Sequence, residues 1–198
     1  MFVALTLPDE IVRSLQNLQV EAKRMLPVHS ISDEIKATAD NFRTPHSPWR
    51  LCDTNNLHLT IEFIGDRITH HKYDEIASEL SKISHEKFSI KCSGVGAYPN
   101  PDGARVLWAG AESKSLDELA KKVAQNIAKT GILPDKPFSP HITVARCKFP
   151  SNVSDFVRTH EETEWHNGEW RVDSFSLFES VHALGGQEYC ELKRYPLV

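Results

Sequence analysis

The chain has 198 residues, of which 40% are hydrophobic and 25% charged, as in an ordinary globular protein of one or two domains. Its net charge of −4 argues against a protein that wraps long stretches of nucleic acid, although it is compatible with a pocket for one terminal phosphate. No apolar run has the length of a membrane span, and residues 1–8 lack the basic region and cleavage site of a signal peptide. We therefore expect a cytoplasmic protein without membrane contact.

The first half of the chain alternates between strand and helix patterns. In chain order it predicts a strand at 2–7, a helix that begins after Pro8, a surface insertion at 27–48, short and long strands at 49–51 and 57–64, a helix at 69–83, and strands at 88–96 and 105–111 joined by a hairpin loop at 98–103.

The second half continues in the same way. Ser115-Leu116-Asp117-Glu118 has the pattern of a capping box, which predicts a helix that starts there and stops at Gly131. A strand at 141–147, a short helix at 153–160 and long strands at 170–181 and 188–195, linked by Leu184-Gly185-Gly186, follow. This irregular alternation with hairpins predicts a mixed α+β fold rather than a doubly wound parallel sheet.

Two segments share one pattern, in which a histidine and a threonine stand two positions apart among apolar residues: Leu57-His58-Leu59-Thr60-Ile61 and Pro140-His141-Ile142-Thr143-Val144. Because side chains alternate between the faces of a strand, His58 and Thr60 are predicted to share one face, and His141 and Thr143 likewise. The opposite face of the first strand would bury Leu57, Leu59, Ile61 and Phe63. One such pair is typical of a surface strand, whereas two favour a site built from matching halves.

The cysteines indicate neither a metal site nor a disulfide framework. Cys52, Cys92, Cys147 and Cys190 are widely separated, and no Cys-x-x-Cys or His-Glu-x-x-His pattern is present in the sequence. We therefore expect reduced, partly buried thiols, and the sequence predicts neither a metal nor another cofactor.

Two imidazoles that flank a small volume suit a tetrahedral, anionic centre that is attacked in line. One can remove a proton from water or a hydroxyl while the other protonates the departing oxygen, each transfer being worth about 10²–10⁴ in rate. The threonine hydroxyls can donate to oxygens whose charge grows in the transition state. A phosphodiester next to a ribose hydroxyl is a natural substrate, because the 2′-hydroxyl makes cyclic phosphates accessible. The spacing alone does not identify RNA.

The chain resembles the two-histidine phosphoesterases, specifically the LigT-like group of RNA 2′,3′-cyclic phosphodiesterases or 2′-5′ RNA ligases. The resemblance extends over nearly the whole length. It is carried by Phe2-Val3-Ala4-Leu5, by Asn56-Leu57-His58-Leu59-Thr60-Ile61-Glu62-Phe63-Ile64-Gly65-Asp66, by Gly96-Ala97-Tyr98-Pro99 with Arg105-Val106-Leu107-Trp108-Ala109-Gly110, by Phe138-Ser139-Pro140-His141-Ile142-Thr143-Val144-Ala145-Arg146, and by the closing hairpin with Gly186-x-x-Tyr189.

This resemblance implies a bilobal, internally duplicated α+β fold with mixed or antiparallel sheets, outer helices and a central cleft between two pseudo-symmetric lobes of a single domain over 1–198. It also implies hydrolysis of a terminal 2′,3′-cyclic phosphate on RNA to leave a 2′-phosphate. The partners would be RNA termini or small cyclic-phosphate nucleotides, and the chain would act as a monomer.

The same resemblance implies roles for five residues. His58 would donate a proton to the leaving 3′-oxygen, and His141 would accept a proton from the attacking water. Thr60 and Thr143 would hold the phosphate, and Arg146 would add positive charge to it. The two histidines would exchange roles in the reverse, ligating direction.

Two features of the site remain open in the sequence. Arg146 lies five residues after His141, so strict alternation sends it to the opposite face unless a bulge redirects it; otherwise it would pair with a surface carboxylate. Tyr98, Trp108 and Phe138 could stack on a nucleobase, but Trp108 also fits a core position in its strand and is not included in the candidate site.

Three other functions are alternatives to the implied hydrolysis of a cyclic phosphate. A binding module could recognise RNA ends or a nucleotide without turnover, which predicts affinity without hydrolysis. A 2′-5′ RNA ligase would use the same site in reverse, and a metallohydrolase would need metal ligands that the motifs do not supply.

Overall fold

The computed structural model describes residues 1–26, 49–134, 136–183 and 186–198. The predicted insertion at 27–48 and part of the predicted 184–186 turn lie outside these residues. The helices and strands of the described parts are β1 (Phe2–Thr6), α1 (Asp9–Met25), β2 (Trp49–Leu51), β3 (His58–Phe63), α2 (His70–Leu80), β4 (Phe88–Ser93), β5 (Val95–Tyr98), β6 (Ala104–Gly110), α3 (Lys114–Ala128), β7 (His141–Ser151), α4 (Ser154–Thr159), β8 (Glu164–Val172), β9 (Ser174–Ala183) and β10 (Gly186–Pro196).

Eight of these strands form one sheet in the order β10-β9-β1-β3-β7-β6-β5, with the short β2 paired to β7. Every pairing is antiparallel, and β4 pairs with β8 in a separate two-stranded sheet. The predicted mixed α+β fold is therefore confirmed.

The order of elements repeats along the chain, as the predicted duplication requires. Apart from β2, the series β1-α1-β3-α2-β4 is followed, after β5, by β6-α3-β7-α4-β8. The two series meet where β3 pairs with β7, with Leu59 opposite Ile142. The division of the molecule into two lobes stays a prediction.

The main helices cover one face of the large sheet. Helix α1 packs against β7 and β8, and α3 packs against α2, β3 and β4. Leu59 and Ile142, which point towards this helical layer, are fully buried. The side chains that precede and follow them are only half-buried, because they emerge on the opposite face. No helix in the described ranges is long and apolar enough to cross a membrane.

Two predicted strands are in fact broken, because the chain changes from one sheet to the other within them. The 88–96 strand divides at Gly94, which has φ +75° and lies so close to another loop that a Cβ would be 2.9 Å from the Glu161 carbonyl oxygen. The 170–181 strand divides at Asp173 between β8 and β9. At each break the spacing of the buried apolar residues changes from two positions to three, between Cys92 and Val95 and between Val172 and Phe175, and the prediction of one continuous strand overlooked this change.

The start of α3 also differs from its prediction. Glu112 is bridged to Lys91 in an extended conformation, and the helix begins immediately afterwards, with Ser113 as the N-cap residue. Ser113 makes no side-chain capping bond, and Ser115 lies inside the first turn. The capping-box interpretation was therefore wrong. The prediction for α2 was better, since Thr69 caps that helix by accepting a hydrogen bond from the Lys72 amide.

The end of β6 offers a test of the packing between the strands. A Cβ at Gly110 would lie 2.2 Å from the Ser93 carbonyl oxygen, which is a backbone atom. We expect Gly110→Ala to lower the free energy of unfolding by about 1–3 kcal/mol, because the backbone must shift to relieve this overlap. The measurement is denaturant unfolding.

Gly103→Ala is the matched control for this substitution. The nearest atom to a Cβ at Gly103 is the Asn100 Oδ1, at 3.7 Å, so the added methyl group has room. If both alanine variants unfold at the same denaturant concentration as the unaltered chain, the close approach of Gly110 to Ser93 is refuted.

Candidate active site

The central pair of strands brings the two sequence motifs together. Leu59 lies opposite Ile142, and these are the middle residues of the two His-x-Thr patterns. The flanking side chains, His58 and Thr60 on β3 and His141 and Thr143 on β7, therefore emerge from one face at one point of the sheet. All four are half-buried, and no described residue forms a hydrogen bond with either threonine hydroxyl.

Each histidine is fixed by the same local hydrogen bond. The Nδ1 of His58 is 2.7 Å from the Asn56 carbonyl oxygen, and the Nδ1 of His141 is 2.7 Å from the Ser139 carbonyl oxygen. A carbonyl oxygen can only accept, so each Nδ1 carries a hydrogen and donates it. In both rings this leaves Nε2 free to accept a proton when neutral or to donate one when charged.

A tyrosine packs edge-on against each histidine. The ring centroids of His58 and Tyr189 are 5.0 Å apart at an interplanar angle of 85°, and those of His141 and Tyr98 are 5.2 Å apart at 80°. The matching hydrogen bonds and ring contacts extend the internal symmetry to the surroundings of both motifs. Tyr189 was not among the predicted site residues, because its strand, β10, is distant in sequence from both motifs.

A second aromatic side chain accompanies each tyrosine. Phe2 lies 4.9 Å from the His58 ring, and Trp108 lies 6.3 Å from the His141 ring. Trp108 is half-buried on the face that carries the histidines, outside the hydrophobic core, and its indole covers Gly96 so closely that a Cβ there would overlap it. The core position considered for Trp108 is therefore wrong. Phe138 instead packs against the core.

Phe63 differs from its predicted position for a local reason. Between β1 and β3, Val3 lies opposite Glu62 whereas Ala4 lies opposite Thr60, so Ile61 is an extra residue in β3. Such a bulge changes the alternation of side chains beyond it. Phe63 is consequently 63% exposed instead of buried, with its ring 6.1 Å from that of Phe2.

A bulge in β7 also determines the position of Arg146. Opposite β6, Thr143 pairs with Trp108 but Ala145 pairs with Leu107, so Val144 is an extra residue. Val144 and Ala145 are both buried, and Arg146 is exposed on the same face as Thr143. The sequence did not decide whether a bulge redirects Arg146, and the structure contains that bulge.

Gln19, in α1, holds this bulge from the helical side. Its side chain is only 4% exposed, and its Nε2 donates hydrogen bonds to the carbonyl oxygens of Val144, at 2.9 Å, and Cys52, at 2.8 Å. The Cys52 amide also donates to the Val144 carbonyl oxygen, at 3.0 Å. The polar groups of the irregular strand are thus satisfied by a buried amide, which stabilises the bulged backbone.

Burial and positive charge both disfavour the charged form of the histidines. Burial is the main cause that lowers the pKa of His58 below its usual 6.5, and the nearby Arg146 and His141 lower it further. Burial likewise lowers the pKa of His141, again with a contribution from Arg146. The carbonyl hydrogen bonds at Nδ1 oppose these effects. Arg146 therefore lies near both histidine rings.

The structure also shows the surroundings of the cysteines and of the side chains that could bind a metal. All four cysteines are free, Cys92 and Cys147 being buried and Cys190 exposed. Burial raises the pKa of Cys92 to about 11, so this thiol stays protonated and unreactive. Within the described ranges no three histidine, cysteine or acidic side chains gather in a way that could hold a metal ion.

Two histidines with free Nε2 atoms, next to two hydroxyls and a guanidinium, can move two protons beside a bound anion. The chain belongs to the 2′-5′ RNA ligase superfamily, whose sequence profile matches residues 29–183. It is 36% identical over 143 residues to the RNA 2′,3′-cyclic phosphodiesterase of Archaeoglobus fulgidus, a match that covers 71% of this chain and 80% of that protein. It is 33% identical over 153 residues to the protein of the same name from Aquifex aeolicus, covering 73% and 80% of the two chains.

Solved structures show the same fold. The crystal structure of TT0787 from Thermus thermophilus superposes with a TM-score of 0.73 at 25% identity, covering 98% of this chain and 96% of that one. The apo form of Escherichia coli LigT superposes with a TM-score of 0.73 at 24% identity, covering 100% and 96%. The predicted LigT-like architecture is thereby confirmed.

Proposed function

We propose that this protein hydrolyses RNA-terminal 2′,3′-cyclic phosphates to 2′-phosphates, with His58 as the proton donor and His141 as the proton acceptor. The observation that carries the proposal is the symmetry of the two histidines, each with its Nδ1 bonded to a carbonyl oxygen and its Nε2 free. The shared activity named for the relatives from Archaeoglobus and Aquifex supports the choice of substrate.

In the proposed reaction, the Nε2 of His141 takes a proton from water while the water oxygen attacks phosphorus. The bond between phosphorus and the 3′-oxygen breaks, its electron pair stays on that oxygen, and the Nε2 of His58 donates a proton to it. The product carries a 2′-phosphate and a free 3′-hydroxyl. Exchange of one proton with solvent at each histidine restores the starting state, and no metal takes part in these steps.

Three further groups would stabilise the phosphate as its charge grows. Thr60 and Thr143 have hydroxyls without partners among the described residues, and both can donate to non-bridging oxygens. Arg146 supplies positive charge next to both histidines. A bound phosphate would also offset the effect of Arg146 on the histidines, because the anion favours their charged forms.

End-group analysis of an oligonucleotide with a 2′,3′-cyclic phosphate, incubated with the protein in EDTA, tests the proposal. We expect the cyclic end to be converted to a 2′-phosphate with a 3′-hydroxyl. A 3′-phosphate product would contradict the assigned bond cleavage, and activity that disappears in EDTA and returns with a divalent cation would contradict the metal-free mechanism. Tight binding without conversion would favour the non-catalytic binding module.

The description of the matched superfamily favours one second function, 2′-5′ ligation. A terminal 5′-hydroxyl takes the place of the attacking water: its oxygen bonds to phosphorus, the bond to the 3′-oxygen breaks, and the proton moves from the 5′-hydroxyl to His141 while His58 protonates the 3′-oxygen. Incubation of the cyclic-phosphate oligonucleotide with a 5′-hydroxyl fragment would then yield a joined product that resists nucleases specific for 3′-5′ linkages. The absence of a joined product would restrict the site to hydrolysis.

A further inference from the structure

Three basic side chains lie side by side next to the candidate site, and we call Arg50, Arg146 and Lys148 the basic row. Arg50 on β2 lies directly opposite Arg146 on β7. Opposite residues in an antiparallel pair project from the same face, so both guanidinium groups share the face of the histidines. Lys148 follows Arg146 by two positions, and the intervening Cys147 is buried, which places Lys148 on that face as well.

The basic row has no acidic partner in the parts of the chain that the structure describes. Arg50, Arg146 and Lys148 are all exposed, and none of the ion pairs among those residues includes them. Lys148 instead lies 5.5 Å from the centre of the Phe149 ring. Like charges directly opposite each other in a sheet are destabilising, so an anion between Arg50 and Arg146 would relieve their repulsion.

The basic row begins near the histidines and extends beyond them. Arg146 is close enough to His58 and His141 to lower their pKa values, whereas Arg50 lies one strand to the side of Arg146, on the edge of β7 that also pairs with β3, and Lys148 lies two residues further along β7. Those steps correspond to about 5 Å and about 7 Å between Cα atoms. The positive charge therefore extends beyond Arg146, sideways to Arg50 and along β7 away from His141 to Lys148, in a chain whose net charge is −4.

We infer that Arg50 and Lys148 bind the backbone phosphate that precedes the terminal nucleotide of an RNA strand. This inference rests on the proposed function and narrows it, because a nucleoside 2′,3′-cyclic phosphate has no second phosphate. The preferred substrate is then an oligonucleotide with a cyclic end. Arginine and lysine at an exposed rim suit a phosphodiester backbone that is recognised by charge and not by base sequence.

The test compares the nucleoside 2′,3′-cyclic phosphate with the dinucleotide that carries the same cyclic end. We expect the unaltered chain to show a higher kcat/KM for the dinucleotide. Arg50→Ala and Lys148→Ala should each lower kcat/KM for the dinucleotide about tenfold more than for the nucleoside, and Arg50→Lys should retain most of the preference. In Arg50→Ala, the slope of log(kcat/KM) for the dinucleotide against log salt concentration should become shallower by about 0.7. This is the contribution of one phosphate contact.

Lys121→Ala is the matched control, because Lys121 is exposed on α3 in the helical layer and its loss changes the net charge equally. It should leave the ratio of the two kcat/KM values unaltered. Equal losses for both substrates in Arg50→Ala, or the same ratio in all variants, would overturn the inference. A misfolded variant is recognised by its thermal unfolding, and Arg50→Lys then provides the comparison.

Failure of the proposed function gives a different result. A wild-type chain that hydrolyses neither substrate refutes the hydrolase proposal. The basic row is still tested in that case by the dissociation constants of the two compounds, since the dinucleotide should bind more tightly and lose that advantage in Arg50→Ala. If Arg50→Ala binds both compounds as the unaltered chain does, the second phosphate site does not exist.

Discussion

Alanine in place of His58 or His141 is expected to lower kcat/KM for a 2′,3′-cyclic phosphate by about 10²–10⁴. Each ring transfers one of the two protons in the proposed reaction, and neither can replace the other, because their Nδ1 atoms are held by separate carbonyl groups. The double variant should lose little more than the single variants, since the two residues act as a unit. Steady-state rates on a single defined substrate measure these effects.

His71→Ala is a control for the loss of an imidazole. The His71 side chain is 85% exposed on α2, and its one ion-pair partner among the described residues is Glu75 of the same helix. Its replacement should leave kcat/KM unchanged. Full activity in either His58→Ala or His141→Ala would refute the two-histidine mechanism.

A modified substrate separates the roles of the two histidines. When sulfur replaces the 3′-oxygen, the leaving thiolate needs no proton, so the general acid is no longer required. We expect His58→Ala to recover most of its lost rate on this substrate, whereas His141→Ala should remain as slow as before. The reverse pattern would exchange the proposed roles and leave the site itself intact.

Much of what the sequence could predict depends on local patterns of neighbouring residues. The alternation that places His58 with Thr60 and His141 with Thr143 depends on a few neighbouring residues, and both motifs lie in strands as predicted. The pairing of those strands is a long-range contact, which only the repetition of the motif indicated. The opposition of Leu59 and Ile142 now shows that the two motifs are centred on each other.

The surroundings of the histidines could not be predicted in the same way. Tyr189 contacts His58 from β10, and Gln19, which contacts the bulge, lies 125 positions before Val144 in the sequence. Neither residue has a local signature, because each position is set by how distant segments pack. The Arg146 position shows the same limit, since its bulge depends on the register between β6 and β7.

The charge of Arg146 should be visible in the pH dependence of the reaction. In the proposed mechanism the free enzyme is active when His141 is neutral and His58 is protonated, and the pKa of each is lowered from 6.5. The pH profile of kcat/KM should therefore peak on the acidic side of 6.5 and decline above it, as His58 loses its proton. Arg146 disfavours both imidazolium forms, so Arg146→Gln should raise both pKa values and move both limbs of the profile to higher pH.

We also expect Arg146→Gln to lower kcat by about 10²-fold, because the growing charge on the phosphate loses its cationic partner. Arg146→Lys is the matched control, since it retains the charge and should keep the pH profile close to that of the unaltered chain. NMR titration of the two imidazoles measures the pKa values directly. A profile that is identical in Arg146→Gln would show that the guanidinium does not act on the histidines.

The loss of Gln19 should affect both the stability of the fold and the position of Arg146. Gln19→Leu removes the buried amide donor of the Cys52 carbonyl oxygen and leaves the Val144 carbonyl oxygen with only the Cys52 amide, which should cost about 1–3 kcal/mol of unfolding free energy. If the bulge exists to direct Arg146, Gln19→Leu should also lower kcat and raise the histidine pKa values, as Arg146→Gln does. It should have little further effect on either quantity in the Arg146→Gln background, because the charge it would displace is already gone. Fully additive losses in the double variant would instead mean that Gln19 supports the fold without positioning Arg146.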